Sequence, residues 1–205
     1  MKQIPLPSRR RLTALVQILS RANGERKENI TSAEISALTS WSESSIRRDI
    51  SLLELHSGKS NGYSVAALKK SIEERLRLSA PGSASAKKCC VVGLEKIGSA
   101  FLDESVFRGT RFKIVAGFDS NQNRIEITKS AFPLYSTSRM ESVIRAQDIR
   151  LALLCVADEH APKYAERLSG CGIEGIVNYT NTFVAAKPGV RIENAHPALM
   201  LENLV

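Results

Sequence analysis

The sequence lacks any apolar stretch long enough for a membrane span. Its longest apolar runs, residues 151–157 and 89–94, are far shorter than the roughly 20 residues that cross a bilayer. Prolines and polar residues interrupt the N-terminal segment, which argues against a cleaved secretory signal. We therefore expect a cytoplasmic protein with no membrane partner.

Cysteine and histidine are also scarce. The four cysteines, Cys89, Cys90, Cys155 and Cys171, form no C-x-x-C pair and have no clustered histidines beside them, which argues against a metal site and a disulfide framework. We expect most of them to be buried thiols. The chain has no Tyr-x-x-x-Lys motif, and its three histidines have no obvious acid-base partner, so we predict no catalytic residue and no enzymatic activity.

Excess charge of one sign is confined to one part of the chain. The net charge is +8, and residues 1–88 hold 16 basic and 8 acidic residues, whereas residues 89–205 hold 13 of each. A basic segment beside a neutral one indicates that the first part faces a polyanion and that the second part does something else.

The composition changes again between residues 79 and 87, which are mainly small residues and include Pro-Gly. Helical periods precede this stretch, and short apolar runs alternate with helical stretches after it. The sequence therefore predicts an α/β protein with a winged helix-turn-helix domain at residues 1–80, a linker at 81–87, and a Rossmann-like domain with a doubly wound parallel sheet at 88–205.

Three helices are predicted in the first domain. The first covers about residues 9–21, where one apolar stripe recurs at helical spacing. The second starts at a capping box of Thr31 and Glu34, and the third follows Ser42 as N-cap. The two short capped helices, separated by residues 37–40, predict a helix-turn-helix.

The third helix carries the candidate DNA-reading face. Its buried stripe is predicted at Ile46, Ile50 and Leu53, and Asp49 lies beside the outward stripe, where it can orient an arginine. A hairpin signal follows at residues 58–63, with Asn61-Gly62 suited to a type I′ turn. Guanidinium, hydroxyl and ammonium groups suit base edges and phosphates. The predicted DNA-binding residues are Ser44, Ser45, Arg47, Arg48, Ser51 and Lys59. An ordinary solvated helix face remains the alternative for the two arginines.

The second domain shows a dinucleotide-binding pattern. A strand at residues 89–93 ends in glycine, residues 98–102 continue as helix, and a strand at 112–119 ends in an acid about twenty residues after the glycine loop. Later elements are predicted as strands at 149–156 and 175–178 and a helix at about 159–169. The predicted cofactor-binding residues are Gly93, Glu95, Lys96, Ile97, Gly98, Asp119 and Asn178.

The glycine loop departs from G-x-G-x-x-G because Glu95 occupies the middle glycine position. A carboxylate about 4 Å from a pyrophosphate charge costs roughly 4 kcal/mol at an effective dielectric of 20. Lys96 can offset part of that cost, or Glu95 can point away. A Rossmann-like fold used only for dimerisation is the further alternative.

Two stretches are the most specific, S-x-I-R-R-D at residues 44–49 and G-I-x-G-I-x-N at residues 172–178. Through them the whole chain resembles the Rex family of redox-sensing transcriptional repressors. In that family a homodimer binds a palindromic operator when NADH is scarce, and NADH releases it. The resemblance implies double-stranded DNA, a second copy of the chain and NAD(H) as partners.

Departures from the family pattern gather at the sensing site. Besides Glu95 they fall at Gln17, at Glu104 or Ser105, and at His196, and the segment from Pro197 is a shorter final helix. We therefore hypothesise a Rex-like repressor that senses NADH weakly, senses another ligand, or is constitutive.

Two other functions stay open at this point. An NAD-dependent oxidoreductase with an appended basic domain would need room for a substrate domain, and only about 115 residues follow the linker. A basic scaffold that binds nucleic acid without sequence preference would show itself by its salt dependence and its low specificity ratio.

Overall fold

A computed structural model describes residues 4–53, 62–76, 78, 86–108, 110–202 and 204. The chain divides into two compact units, Met1–Ala80 and Pro81–Val205, and each is described by itself. In the described residues no helix combines the length and the apolar character needed to cross a membrane.

The first unit is mainly helical. Its elements are α1 (Leu6–Gly24), β1 (Asn29–Ile30), α2 (Ser32–Thr39), α3 (Glu43–Ser51), β2 (Tyr63–Ser64) and α4 (Val65–Leu76). Apolar side chains from all four helices meet in one core, among them Leu15, Ile35, Ile46 and Leu68.

Two helix boundaries in this unit differ from the prediction. Helix α1 starts before residue 9 because Pro7 stands in its first turn, where a missing N–H costs nothing. The predicted turn at residues 37–40 is wrong for its first three positions, since α2 continues to Thr39. Ser40 then adopts a left-handed conformation with φ 59° and ends the helix.

Strand β1 was not predicted, and it pairs with β2 in antiparallel register, Ile30 opposite Tyr63. Gly62 precedes β2 with φ +90°, and a Cβ there would lie 2.7 Å from the Ile30 carbonyl oxygen. Only glycine fits such a close approach between two backbones. The rest of the predicted hairpin turn, including Lys59 and Asn61, falls outside the described residues.

The second unit is built on a six-stranded sheet in the order β5-β4-β3-β6-β7-β8, in which every neighbouring pair is parallel. Counted from β3, this is the strand order 3-2-1-4-5-6 of the doubly wound dinucleotide-binding fold, so the predicted fold class is confirmed. The strands are β3 (Lys87–Val92), β4 (Phe112–Asp119), β5 (Leu134–Ser136), β6 (Leu151–Leu154), β7 (Gly175–Asn178) and β8 (Arg191–Asn194).

Short helices connect these strands. They are α5 (Ile97–Ala100), α6 (Gln122–Ile127), α7 (Met140–Ala146), α8 (Ala161–Ser169) and α9 (Pro197–Glu202), with 3₁₀ turns at Glu104–Phe107, Thr137–Arg139 and Asp158–His160. The helix predicted at residues 98–102 is shorter than expected, because α5 ends at Ala100. The helix predicted from about residue 159 becomes α-helical only at Ala161, after a 3₁₀ turn.

Apolar layers cover both faces of the sheet. Successive side chains of a strand point to opposite faces, so Cys90 and Val92 enter the layer that contains α7 and α8, whereas Cys89 and Val91 enter the other layer. Burial raises the pKa of the Cys89 thiol to about 12. The adjacent cysteines are therefore separated by the sheet and held as neutral thiols.

Candidate functional sites at helix α3 and the glycine loop

Helix α3 is anchored on its inner side. Ser42 caps it by accepting a hydrogen bond from the Ser45 N–H at 3.3 Å. Ile46 and Ile50 are buried, as predicted, and so is Asp49. The sequence placed Asp49 beside the outward arginines, whereas its carboxylate pairs with Arg11 of α1 through Nε at 2.6 Å and Nη2 at 2.9 Å. This charge-assisted pair raises the pKa of the Arg11 guanidinium, chiefly through the hydrogen bond.

The outer side of α3 is exposed. Ser44, Arg47, Arg48 and Ser51 are exposed and Ser45 is half-buried. Arg47 Nη2 lies 3.0 Å from a Glu43 carboxylate oxygen, one turn earlier. Such an exposed pair is weak, so the guanidinium can leave it for a stronger anion at little cost. The structure thus brings five of the predicted DNA-binding residues together on one short helix.

Two glycines shape the loop after β3. Gly93 has φ +89°, and a Cβ on it would lie 2.6 Å from the Cys155 carbonyl oxygen. A Cβ on Gly98 would lie 1.8 Å from the Gly93 carbonyl oxygen, so a side chain cannot fit there. Both positions stand between β3 and β6, where the strand order reverses and where doubly wound folds place their ligands.

Glu95 is exposed and faces Arg124. Its side chain is 62% exposed, and its Oε2 lies 3.5 Å from Arg124 Nη2. Both alternatives for relieving the repulsion therefore stay predictions. Lys96 is exposed and has φ 47°, and Ile97 is half-buried. The following helix α5 has only four residues, which limits the dipole it can direct at an anion.

Asp119 ends β4 and is almost fully buried. Its Oδ2 accepts a hydrogen bond from the Leu94 N–H at 2.9 Å, and its Oδ1 accepts one from the Asn121 N–H at 2.8 Å. Arg124 Nη1 donates to both oxygens at 3.0 Å, and this hydrogen bond is the main cause of the raised pKa of Arg124. The carboxylate therefore joins the glycine loop, the end of β4 and the start of α6.

Asn178 is remote from this cluster in the sheet, because it ends β7, two strands away from β3. It is fully buried, and its amide nitrogen donates to the Thr182 carbonyl at 2.8 Å and to Asn194 at 3.0 Å. Its amide oxygen accepts from the Thr180 N–H and hydroxyl. As placed, Asn178 orders the loop after β7.

Sequence reasoning missed Arg124. The signal for it is Asn121, whose side chain accepts a hydrogen bond from the Arg124 N–H at 3.2 Å as the N-cap of α6. A capping residue two positions after a strand-ending acid brings the arginine back over that acid. Across the described ranges, no group of three or more histidine, cysteine or carboxylate side chains could hold a metal ion.

Two family models match the chain. One, described as "Putative DNA-binding protein N-terminus", covers residues 3–51, and the other, described as "CoA binding domain", covers residues 84–182. The redox-sensing transcriptional repressor Rex of Lactobacillus gasseri is 30% identical over 203 residues, which are 99% of this chain and 92% of that protein. Rex of Bacillus licheniformis is 27% identical, with 99% and 92% covered.

Solved structures agree on the fold. RSP, a Rex-family repressor, superposes with a TM-score of 0.83 at 22% identity and covers 100% of this chain and 93% of its own. RSP in complex with beta-NAD+ and operator DNA gives a TM-score of 0.86, also at 22% identity, with 100% and 92% covered.

A helix-turn-helix unit followed by a doubly wound parallel sheet is the architecture of a transcription regulator that combines a DNA-binding domain with a dinucleotide-binding fold. The full-length similarity to the curated repressors makes the assignment specific. The chain belongs to the Rex family of redox-sensing transcriptional repressors, as the sequence predicted.

Proposed function

We propose that the chain is a dimeric repressor that binds a palindromic operator through α3 and responds to a dinucleotide at the glycine loop. The observation that carries this proposal is the outer face of α3, whose guanidinium and hydroxyl groups project from a helix fixed by Ser42 and by the Arg11–Asp49 pair. A helix held this rigidly can present its side chains to the major groove in one register.

The DNA-binding residues divide by chemistry. Arg47 and Arg48 can each donate two parallel hydrogen bonds to a guanine edge, or bind phosphate. The hydroxyls of Ser44, Ser45 and Ser51 suit phosphate oxygens, and Lys59 is proposed to reach the backbone or the minor groove from the wing. A homodimer places two copies of α3 on half-sites one helical turn, or a multiple of it, apart.

The backbone of the glycine loop fits a dinucleotide, whereas some of the side chains around it do not. Gly93 and Gly98 leave no room for a Cβ, which is the close packing that the fingerprint requires. We propose that the backbone of Gly93, Ile97 and Gly98 lines the pyrophosphate and that Lys96 contributes charge to it. When bound, the nicotinamide supplies its oxidation state as the signal.

Three side chains fit this role less well. Glu95 adds a negative charge to the phosphate loop, Asp119 has its carboxylate occupied by other partners, and Asn178 is fully buried. We expect NADH to bind more weakly than it would to a loop with glycine at position 95. A repressor with altered or lost NADH sensing is therefore the second candidate function.

Fluorescence anisotropy with a labelled Rex-type palindrome tests the DNA-binding proposal. Arg47→Ala and Arg48→Ala should each lower affinity about 5- to 150-fold, the equivalent of roughly 1–3 kcal/mol for a base contact. Arg21→Ala is the matched control, because Arg21 is exposed and paired with Glu25, the residue that follows α1.

Affinity unchanged by both α3 variants at physiological salt would exclude α3 as the reading helix. Equal affinity for a scrambled duplex would favour the scaffold without sequence preference. The same binding curves with NADH and with NAD⁺ test whether the dinucleotide modulates the complex.

A further inference from the structure

At the C-terminal end of β4, the Asp119 carboxylate already accepts as many hydrogen bonds as it can, whereas a nearby donor does not use all of its N–H groups. Asp119 receives four N–H contacts, from the Leu94 and Asn121 backbone amides and twice from Arg124 Nη1. A carboxylate has about four lone-pair sites, so this set fills them. The carboxylate is also only 4% exposed.

That saturation bears on which adenosine ribose can bind. In an NAD site the acid at this position accepts hydrogen bonds from the free ribose hydroxyls. Asp119 can accept them only by giving up a backbone amide or its arginine, and loss of the Leu94 N–H would leave a buried donor unsatisfied.

Arg124 has donors left over. Its Nη1 makes both hydrogen bonds to Asp119, and its Nη2 faces the Glu95 carboxylate at 3.5 Å, longer than a good N–H···O hydrogen bond. Asp119 holds the guanidinium through Nη1, and the Arg124 side chain is 28% exposed, so it remains partly accessible. An arginine at this place in the fold can hold a phosphate on the ribose.

Glu95 faces the Nη2 end of this guanidinium. Its ion pair is long and its side chain is mostly exposed, and such pairs are weak. A dianionic phosphate is a stronger partner for the guanidinium and can displace the carboxylate. Residues 120–125, which follow Asp119, carry no other carboxylate, and the next one in the chain, Glu126, accepts a hydrogen bond from Gln122 at 3.3 Å.

We propose that the site at Arg124 takes an adenine nucleotide whose ribose carries a phosphate monoester, which replaces Glu95 on the guanidinium. Two ligands share this chemistry, the 2′-phosphate of NADP(H) and the 3′-phosphate of coenzyme A. The inference rests on the proposed function of the glycine loop as a dinucleotide site.

Calorimetric titration of the full chain with NADPH, coenzyme A and NADH tests the preference and separates the two sources. We expect NADPH or coenzyme A to bind at least tenfold more tightly than NADH.

Arg124→Gln should abolish the preference for the phosphorylated ligands. Because Asp119 loses a hydrogen-bond partner in this variant, its melting curve is recorded to check that the protein remains folded. Glu95→Gln is the more robust variant, because the residue is exposed, and it should tighten the phosphorylated ligand severalfold while NADH changes less.

Glu166→Gln is the control, since Glu166 is an exposed carboxylate of α8. NADH binding as tightly as NADPH and coenzyme A would overturn the inference, as would equal tightening of all ligands by Glu95→Gln. If NADH binds best and releases operator DNA, the proposed function stands and the inference is wrong. If no nucleotide binds while operator DNA does, the inference and the cofactor part of the proposed function both fail.

Discussion

Arg11 and Asp49 join helix α1 to the reading helix by a bidentate ion pair, with Arg11 Nε and Nη2 at 2.6 and 2.9 Å from the two carboxylate oxygens. The Asp49 side chain is 4% exposed and the Arg11 side chain 29%. The pair lies on the inner side of α3, so it sets how that helix is held and leaves its outer face free.

Arg11→Ala should destabilise the N-terminal unit by about 2–4 kcal/mol, because it leaves a buried carboxylate without its cation. Trp41 is the chain's one tryptophan, and it packs against this core, so urea unfolding followed by its fluorescence reports on this unit. Arg21→Ala, which breaks an exposed pair, should cost less than about 0.5 kcal/mol. Superimposable unfolding curves for the Arg11 variant and wild type would contradict the anchoring role.

Glu34→Gln should lower the stability of the same unit at neutral pH and progressively less toward acid pH. The Lys27 hydrogen bond, followed by the Thr31 backbone N–H, lowers the pKa of Glu34 to about 2. The folded pKa is below the unfolded value of about 4.3, so the stabilising charge is fully present above that value and is lost as pH falls toward 2.

The stability difference between wild type and Glu34→Gln should therefore shrink between pH 6 and pH 2. It should stay below about 1 kcal/mol, because the pair is exposed. Urea titrations at several pH values measure it, and Glu74→Gln, which breaks an exposed 3.9 Å pair on α4, is the control. A difference that grows toward acid pH would contradict the assigned sign.

Gly98→Ala should destabilise the C-terminal unit by about 3 kcal/mol, since the new Cβ would lie 1.8 Å from the Gly93 carbonyl oxygen and the backbone must move. Circular dichroism melting measures the loss. Gly170→Ala is the matched control, because its Cβ would meet its nearest atom at an ordinary 3.5 Å. Equal melting temperatures for the two variants would mean that the loop tolerates a side chain.

The cysteine thiols should not react in the native protein. Burial raises the pKa of Cys89 and of Cys155 to about 12, and it also raises the pKa of Cys90 and of Cys171 above the usual thiol value. Thiolate is the reactive form, so a disulfide reagent at pH 8 should label no site within minutes and all four sites in guanidinium. Rapid labelling of the native chain would contradict this prediction and would favour thiol oxidation as a redox signal.

Elements with their own hydrophobic pattern were predictable from the sequence. The bounds of β4 and β7 agree with the predicted ranges, because an apolar run bounded by polar residues identifies a buried strand. The helix caps at Thr31 and Ser42 were equally predictable from the sequence, since a capping side chain bonds a backbone N–H no more than three residues further along the chain.

Elements that depend on distant partners were not predictable. Strands β1 and β5 have two and three residues, and their backbones are held by pairing with a neighbour. Asp119 was placed correctly at the end of its strand, but its partner Arg124 depends on where α6 begins. The direction of Glu95 follows from that same contact, so the sequence left it open.

The central position of β3 has a consequence for how the chain is made. Its neighbours are β4, which follows it directly, and β6, which emerges from the ribosome about sixty residues later. Both edges of β3 are paired only after β6 has been synthesised, whereas every element of the N-terminal unit is complete before β3 exists. Nascent chains stalled before β6 should therefore carry a folded helical unit and an unpaired, apolar strand edge that invites aggregation.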